Sequence, residues 1–173
     1  MFGSVRCLAL IAAAPVALIG IVATPTHAET TIPAAVAARG GAGPTTYPVL
    51  GEEVFESTNR ARLRHGCPAV ALDEELTVAA VRQSHYMAAT GDFGHFGWNG
   101  STFRSRSRAA GYHAVAGENV AHGYSGTAEV MAAWMASPPH RANILNCGVK
   151  ALGTGVQRAA NGTYYWTQVF GWR

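Results

Sequence analysis

The strongest constraint on this chain is a change of period near its C-terminus. Ala151 to Arg158 and Thr163 to Trp172 carry β-branched and aromatic residues and flank Asn161-Gly162, a dipeptide that accepts the positive φ angles of a tight hairpin turn. Upstream, apolar residues recur at helical spacing instead. Leu50, Val54, Phe55 and Thr58 open a first helix that Gly66 and Pro68 stop. Asp73 is a candidate N-cap for a second helix through Leu76, Ala79, Gln83 and Met87, ended by Gly91. Ser101 starts a shorter third helix ended by Gly111, and a fourth runs from Thr127 to Ala136, where Pro138-Pro139 prevents its continuation. Helices first and a strand pair last, with Val115 to Val120 available for a further strand, predict an α+β layered domain.

Ahead of that domain the composition changes twice. Leu8 to Ala23 is an apolar run broken only by Pro15 and Gly20, preceded by Arg6 and followed by the small-residue site Thr26-His27-Ala28. This pattern predicts a signal peptide over 1–28, cleaved after Ala28. Its apolar stretch falls short of the roughly 20 residues that span a bilayer, so an N-terminal membrane anchor is the alternative. Residues 29–46 are Ala, Gly, Thr and Pro with almost nothing large to bury, which predicts a flexible linker. The folded domain is expected over 47–173. Charged residues make up only 13% of the chain and the net charge is +3 without a basic run, which excludes a nucleic-acid binder. Arg104, Arg106 and Arg108, the densest basic group, alternate with serine.

Export also decides the cysteine chemistry. With Cys7 in the signal segment, the exported chain keeps Cys67 and Cys147, and two thiols in an oxidising compartment have one intramolecular pairing. In the chain-entropy model a bridge closing a loop of this length adds about 4–5 kcal/mol before strain is subtracted. Two free buried thiols are the alternative. A zinc-thiolate site is disfavoured, since no Cys-x-x-Cys spacing is present.

Two histidines sit in settings that fix an imidazole. His95 lies in the glycine and aromatic segment Gly91 to Trp98, and His140 follows Ser137-Pro138-Pro139. Two carboxylates stand out as well. Glu118, between Ala116 and Val120, is expected to be partly buried and to need a partner. Glu129 enters an otherwise apolar helix, although a carboxylate in a first helical turn is favoured by the macrodipole regardless of function. Two neutral imidazoles and two carboxylates would suit a divalent metal, zinc above all, with water completing the coordination. His65, His85 and His113 have ordinary helix-end, surface or loop settings; His122, four residues beyond Glu118, could face the same site but is not expected to be a ligand.

Taken in order, Asn59-Arg60-Ala61-Arg62, Gly117-Glu118-Asn119-Val120-Ala121, Trp134 through His140-Arg141-Ala142-Asn143-Ile144-Leu145, Gly153-Thr154-Gly155-Val156 and Tyr165 to Gly171 resemble the CAP superfamily, which unites cysteine-rich secretory proteins, insect antigen 5 and plant pathogenesis-related 1 proteins. The match covers about Val54 to Trp172. The resemblance implies a three-layer α-β-α sandwich with a central, mainly antiparallel sheet and an open cleft. It places the family's cleft tetrad on His95, Glu118, Glu129 and His140, with the histidines as direct metal ligands and the glutamates close by, and Asn119 beside Glu118. It carries over nothing of the second cysteine-rich domain of larger animal relatives.

The resulting expectation is a secreted binding module whose cleft takes a divalent metal and a lipid, sterol or cell-envelope ligand. Phe93, Phe96, Trp98, Tyr124 and Trp134 could line an apolar channel, though core packing is the commoner role of such residues. Two alternatives are a metal-assisted or His/Glu-dependent hydrolase of peptide, ester or glycan bonds, working through Glu118 and His140, and a structural protein with a non-catalytic tetrad. Ser101, Ser125 and Ser137 are available as nucleophiles, but none sits in a Gly-x-Ser-x-Gly elbow.

Overall fold

A computed structural model describes residues 48–173. The expected signal segment and linker lie outside the described residues. Helix α1 spans Pro48–Arg64, its first residue a proline whose missing N–H costs nothing in a first turn. A two-residue strand, β1 (Ala71–Leu72), leads into α2 (Glu74–Thr90), where the Asp73 side chain accepts the Leu76 N–H at 2.8 Å and Gly91 closes the helix in the left-handed conformation. Helix α3 covers Phe103–Ala110 and begins two residues after the expected Ser101, because Thr102 and Ser105 form a reciprocal capping box. Strand β2 (Val115–His122), α4 (Thr127–Ala136) and α5 (Pro138–Ile144) follow. The chain ends in the expected hairpin, β3 (Ala151–Arg158) and β4 (Tyr164–Gly171), turning through Gly162 at φ 91°.

Pro138-Pro139 does more than stop α4. Prolines that cannot continue one helix are well suited to the first turn of the next, and here they open α5. That short helix carries His140.

The four strands form one sheet in the order β1-β3-β4-β2, parallel between β1 and β3 and antiparallel elsewhere. Helices α2 and α3 cover one face; α1, α4 and α5 cover the other. This is the three-layer α-β-α arrangement. The larger core lies on the α1/α4/α5 side, where Val54, Trp134, Ile144, Leu152, Trp166 and Phe170 pack together. On the α2 side, alternation along β3 presents Gly153 and Gly155 to the helix. A Cβ on Gly153 would lie 2.0 Å from the Leu76 carbonyl carbon, and one on Gly155 2.5 Å from that of Ala80. The α2 backbone therefore rests directly on the sheet.

Two devices tie α1 to the distant end of the chain. Cys67 and Cys147 form the expected disulfide. Beside it, the fully buried Arg62 guanidinium donates to the carbonyls of Pro68, Ile144, Asn146 and Val149. Burial lowers its pKa, and four backbone acceptors take the place of a carboxylate partner. Asn59 completes the junction by exchanging two hydrogen bonds with the backbone of Val70.

The expected apolar residues divide between core and surface. Trp134 is buried, whereas Phe93, Phe96 and Trp98 are exposed. Core packing therefore does not account for these three.

Gly153→Ala is expected to lower the free energy of unfolding by at least about 2 kcal/mol, because helix backbone must move to admit the methyl group. Gly94→Ala, which meets nothing within 4 Å, should change it by no more than about 0.5 kcal/mol. Urea unfolding of the two variants checks this; equal effects would contradict the direct seating of α2 on β3.

Candidate functional site

The site is built around the edge strand β2, whose consecutive residues Glu118 and Asn119 point to opposite faces of the sheet. On the α2/α3 side the Glu118 carboxylate is buried. Its Oε2 accepts from Arg106 Nη2 at 2.6 Å, and its Oε1 is 2.9 Å from His95 Nδ1. An ionised carboxylate can only accept, so His95 Nδ1 carries the hydrogen. In the neutral ring Nε2 is then left with a free lone pair. The His95 side chain is about half exposed, whereas Glu118 and Arg106 are buried behind it.

The loop bearing His95 is anchored at three consecutive carbonyls. Gln83 of α2 donates to Gly94 O at 2.6 Å and to Phe96 O at 3.2 Å, while Arg106 Nη1 donates to His95 O at 3.2 Å and to Ser101 O at 2.7 Å. Arg106 thus holds the His95 backbone directly and its imidazole through Glu118. Gly97 belongs to this clamp, since a Cβ there would stand 2.8 Å from Gln83 Oε1.

On the opposite face, Asn119 Nδ2 donates to His140 O at 3.1 Å and to Gln168 Oε1 at 3.0 Å, and its Oδ1 accepts from Asn143 Nδ2 at 2.8 Å. Gln168 continues the network to Thr58 of α1. Asn143 also donates to Glu118 O at 3.2 Å, and Trp134 Nε1 to Val120 O at 3.3 Å. These side chains satisfy the outer carbonyls of β2, which an uncovered edge would offer to another strand. They also fix α5, and with it His140, against the strand.

The two histidines are shifted in opposite directions. Glu118 raises the His95 pKa, chiefly through its hydrogen bond and with help from its charge, against an opposing effect of burial. His140 is shifted the other way, first by burial and then by the charge of His95. Its imidazole faces a pocket of about 290 Å³ whose walls include Phe93, His122, Tyr124, Trp134 and Ser137. His122 stacks on Tyr165 with ring centroids 5.7 Å apart and lies 4.4 Å from the Phe93 ring. It forms a wall of the pocket.

Glu129 lies elsewhere. At the exposed start of α4 its Oε2 accepts from the Ser125 backbone N–H at 3.0 Å and from the Ser125 hydroxyl at 2.9 Å. Those bonds lower its pKa and leave it serving the helix terminus. No hydrogen bond or ion pair among the described residues joins it to His95, Glu118 or His140. Among the described residues there is also no group of three or more His, Cys, Asp or Glu side chains able to hold a metal together. Nor does any serine hydroxyl there bond to His95 or His140. Arg106 is the site residue that sequence reasoning missed. A buried Glu118 demanded a partner, but nothing in Arg104-Ser105-Arg106-Ser107-Arg108 indicates which arginine faces inward.

Fold and site together define a disulfide-linked α-β-α domain with a histidine-carboxylate pair and a second histidine at an edge strand. The chain belongs to the cysteine-rich secretory protein (CAP) family, whose model matches residues 55–170. It is 33% identical over 128 residues to the Bacillus subtilis protein YkwD, covering 73% of this chain and 49% of that protein. Among solved structures, an extracellular protein containing a SCP domain from Bacillus anthracis is 27% identical with a TM-score of 0.64, covering 76% of this chain and 45% of that one. An outer surface protein from Borrelia burgdorferi shares the fold, with a TM-score of 0.65 at 14% identity over 76% of this chain and 99% of that one. The chain thus spans about half the length of YkwD and of the Bacillus anthracis protein.

Because the folded state raises the His95 pKa, the stability gained from its charged pairing with Glu118 is present below about pH 6.5 and lost as pH rises through the raised value. Ring-proton NMR titration should find His95 above 6.5 and His140 below it. Glu118→Gln should bring His95 down. A His95 value unmoved by that substitution would contradict the pairing.

Proposed function

We propose that the chain is an exported ligand-binding domain whose cleft takes up a divalent cation, zinc foremost, through the imidazoles of His95 and His140. The observation that carries this reading is the Glu118-His95 hydrogen bond at 2.9 Å. A metal-binding histidine commonly gives its second ring N–H to a carboxylate, which fixes the tautomer and raises the basicity of the other nitrogen. The donor set fits a soft-to-borderline cation with open positions: two imidazoles, one of them kept neutral by its surroundings, and no thiolate, since both cysteines of the domain are bridged. Glu118 would act by orienting His95, and water would complete the coordination. Bound there, the cation would offer a positive centre to an oxygen of the ligand.

The walls beside His140 suit the apolar part of such a ligand. Phe93, Tyr124 and Trp134 lie next to the imidazole, and Phe93 and Phe96 remain exposed on the His95 loop. A lipid, a sterol or another cell-envelope molecule with an oxygen-bearing head has both properties. Binding is proposed ahead of hydrolysis because Glu118, the carboxylate a His/Glu-dependent hydrolase would use, is buried with one oxygen on Arg106 and the other on His95. Export is supported by the disulfide and by the extracellular description of the Bacillus anthracis relative.

Isothermal titration with zinc should give one site on the wild-type protein. His95→Ala and His140→Ala should each abolish it, and Glu118→Gln should weaken it by about 10–100-fold. Protons compete for the ligands, so affinity should decline as pH falls, starting above pH 6.5 where His95 is the first to charge. Unchanged binding in both histidine variants would overturn the proposal.

A further inference from the structure

We infer that the groove between α2 and α3 is a second binding site, for an acidic saccharide. It has a volume of about 660 Å³, within the range of small-molecule sites, and it lies on the helical layer that carries Arg106. Its chemistry is one-sided. Arg82 and His85, one turn apart on α2, stand on its wall with Arg106 behind them, and its lining contains no carboxylate. Glu118 neutralises Arg106, but Arg82 is exposed and has no ion-pair partner among the described residues. The unmatched positive charge therefore belongs to the outer wall, where a ligand carboxylate can reach it and be held by two guanidinium N–H groups.

An aromatic plate completes the lining. Trp98 is 51% exposed, yet its ring packs edge-on against Tyr86 with centroids 4.9 Å apart and planes at 82°. The turn beneath it is closed by hydrogen bonds from Gly97 N to Ser101 O at 2.9 Å, Gly100 N to Gly97 O at 3.0 Å and Ser101 N to Trp98 O at 3.1 Å. Asn99, at φ 55°, is the one non-glycine residue among those described with a positive φ, and it lies in the groove lining. Such backbone is retained where the surroundings over-determine it, and here it holds Trp98 outward. A large apolar side chain held rigidly in solvent beside polar groups is a recognition surface whose ordering cost has already been met in folding.

The combination selects the ligand class. A pyranose ring presents a flat C–H face to the indole, its hydroxyls meet Asn99 and Ser101, and a carboxylate on the ring or its substituent meets Arg82 and His85. A hydrocarbon chain would satisfy only Trp98. A neutral sugar would leave the cationic wall unmatched.

The test uses two disaccharides that differ in a single O-lactyl group, which carries the carboxylate: N-acetylglucosaminyl-N-acetylmuramic acid and N,N′-diacetylchitobiose. Each is titrated into the ¹⁵N-labelled exported protein and followed by amide and indole NMR shifts. The acidic disaccharide is expected to shift the Trp98 indole and the amides around Arg82, His85 and Ser101, and to bind at least about tenfold more tightly than N,N′-diacetylchitobiose. Trp98→Ala should abolish these shifts, and Arg82→Gln, an exposed substitution that leaves the fold intact, should weaken binding about tenfold. Absence of binding by either sugar, equal binding of both, retention of binding in both variants, or shifts centred on His95 and His140 would each overturn the assignment. The last result would not affect the cation proposal, which is read by zinc alone.

Discussion

The buried pairing of Arg106 with Glu118 is the interaction on which the cleft depends. A carboxylate inside a protein is tolerated only when its charge and lone pairs are met, and Glu118 meets them with a guanidinium on one oxygen and an imidazole on the other. Arg106 then uses its remaining arm on the carbonyls of His95 and Ser101. One arginine thus fixes the acid, the ring that the acid orients and the loop that carries the ring. Removing the Glu118 charge would leave the Arg106 guanidinium buried without a counter-charge, and removing Arg106 would leave Glu118 with the His95 imidazole alone.

Strand β2 holds a histidine from each of the two helical layers. An edge strand has one side free of sheet hydrogen bonds, and here that side is taken by Asn143 and Trp134. Glu118 reaches His95 through the α2/α3 layer, while Asn119, one residue on, holds the α5 backbone at His140. A central strand, paired on both sides, would leave no free carbonyls for Asn143 and Trp134 to meet. The C-terminal end of α5 is secured by other means. Arg62 with its four carbonyls and the Cys67-Cys147 bridge lock α1 to the segment after α5.

Much of this was legible in the chain. Asp73 and Gly91 bound α2 as their chemistry requires, and Asn161-Gly162 marks the hairpin, because caps and turns are local properties. The cysteine pairing followed from compartment and count. The start of α5 was not legible, since Pro138-Pro139 terminates one helix and begins another with the same residues. Nor was β1, whose two residues are too few to show a period. At the site, His95, Glu118 and His140 stood out as isolated polar residues in apolar or glycine-rich settings. Glu129 stood out for the same reason, but a first-turn carboxylate finds its partner in Ser125. Arg106 was hidden among three alternating arginines. Which of them turns inward is decided by the packing of α3 on the sheet, a long-range fact.

These relations give the site one imidazole oriented by Glu118 and a second whose pKa is lowered by burial, the pair that we propose shares an ion. The most direct measurement is an anomalous-scattering map from a crystal of the zinc-treated protein, collected on either side of the zinc absorption edge. The account predicts one dominant peak about 2.0–2.1 Å from His95 Nε2 and within the same distance of a ring nitrogen of His140. A peak on other ligands, or none at these two histidines, would contradict it.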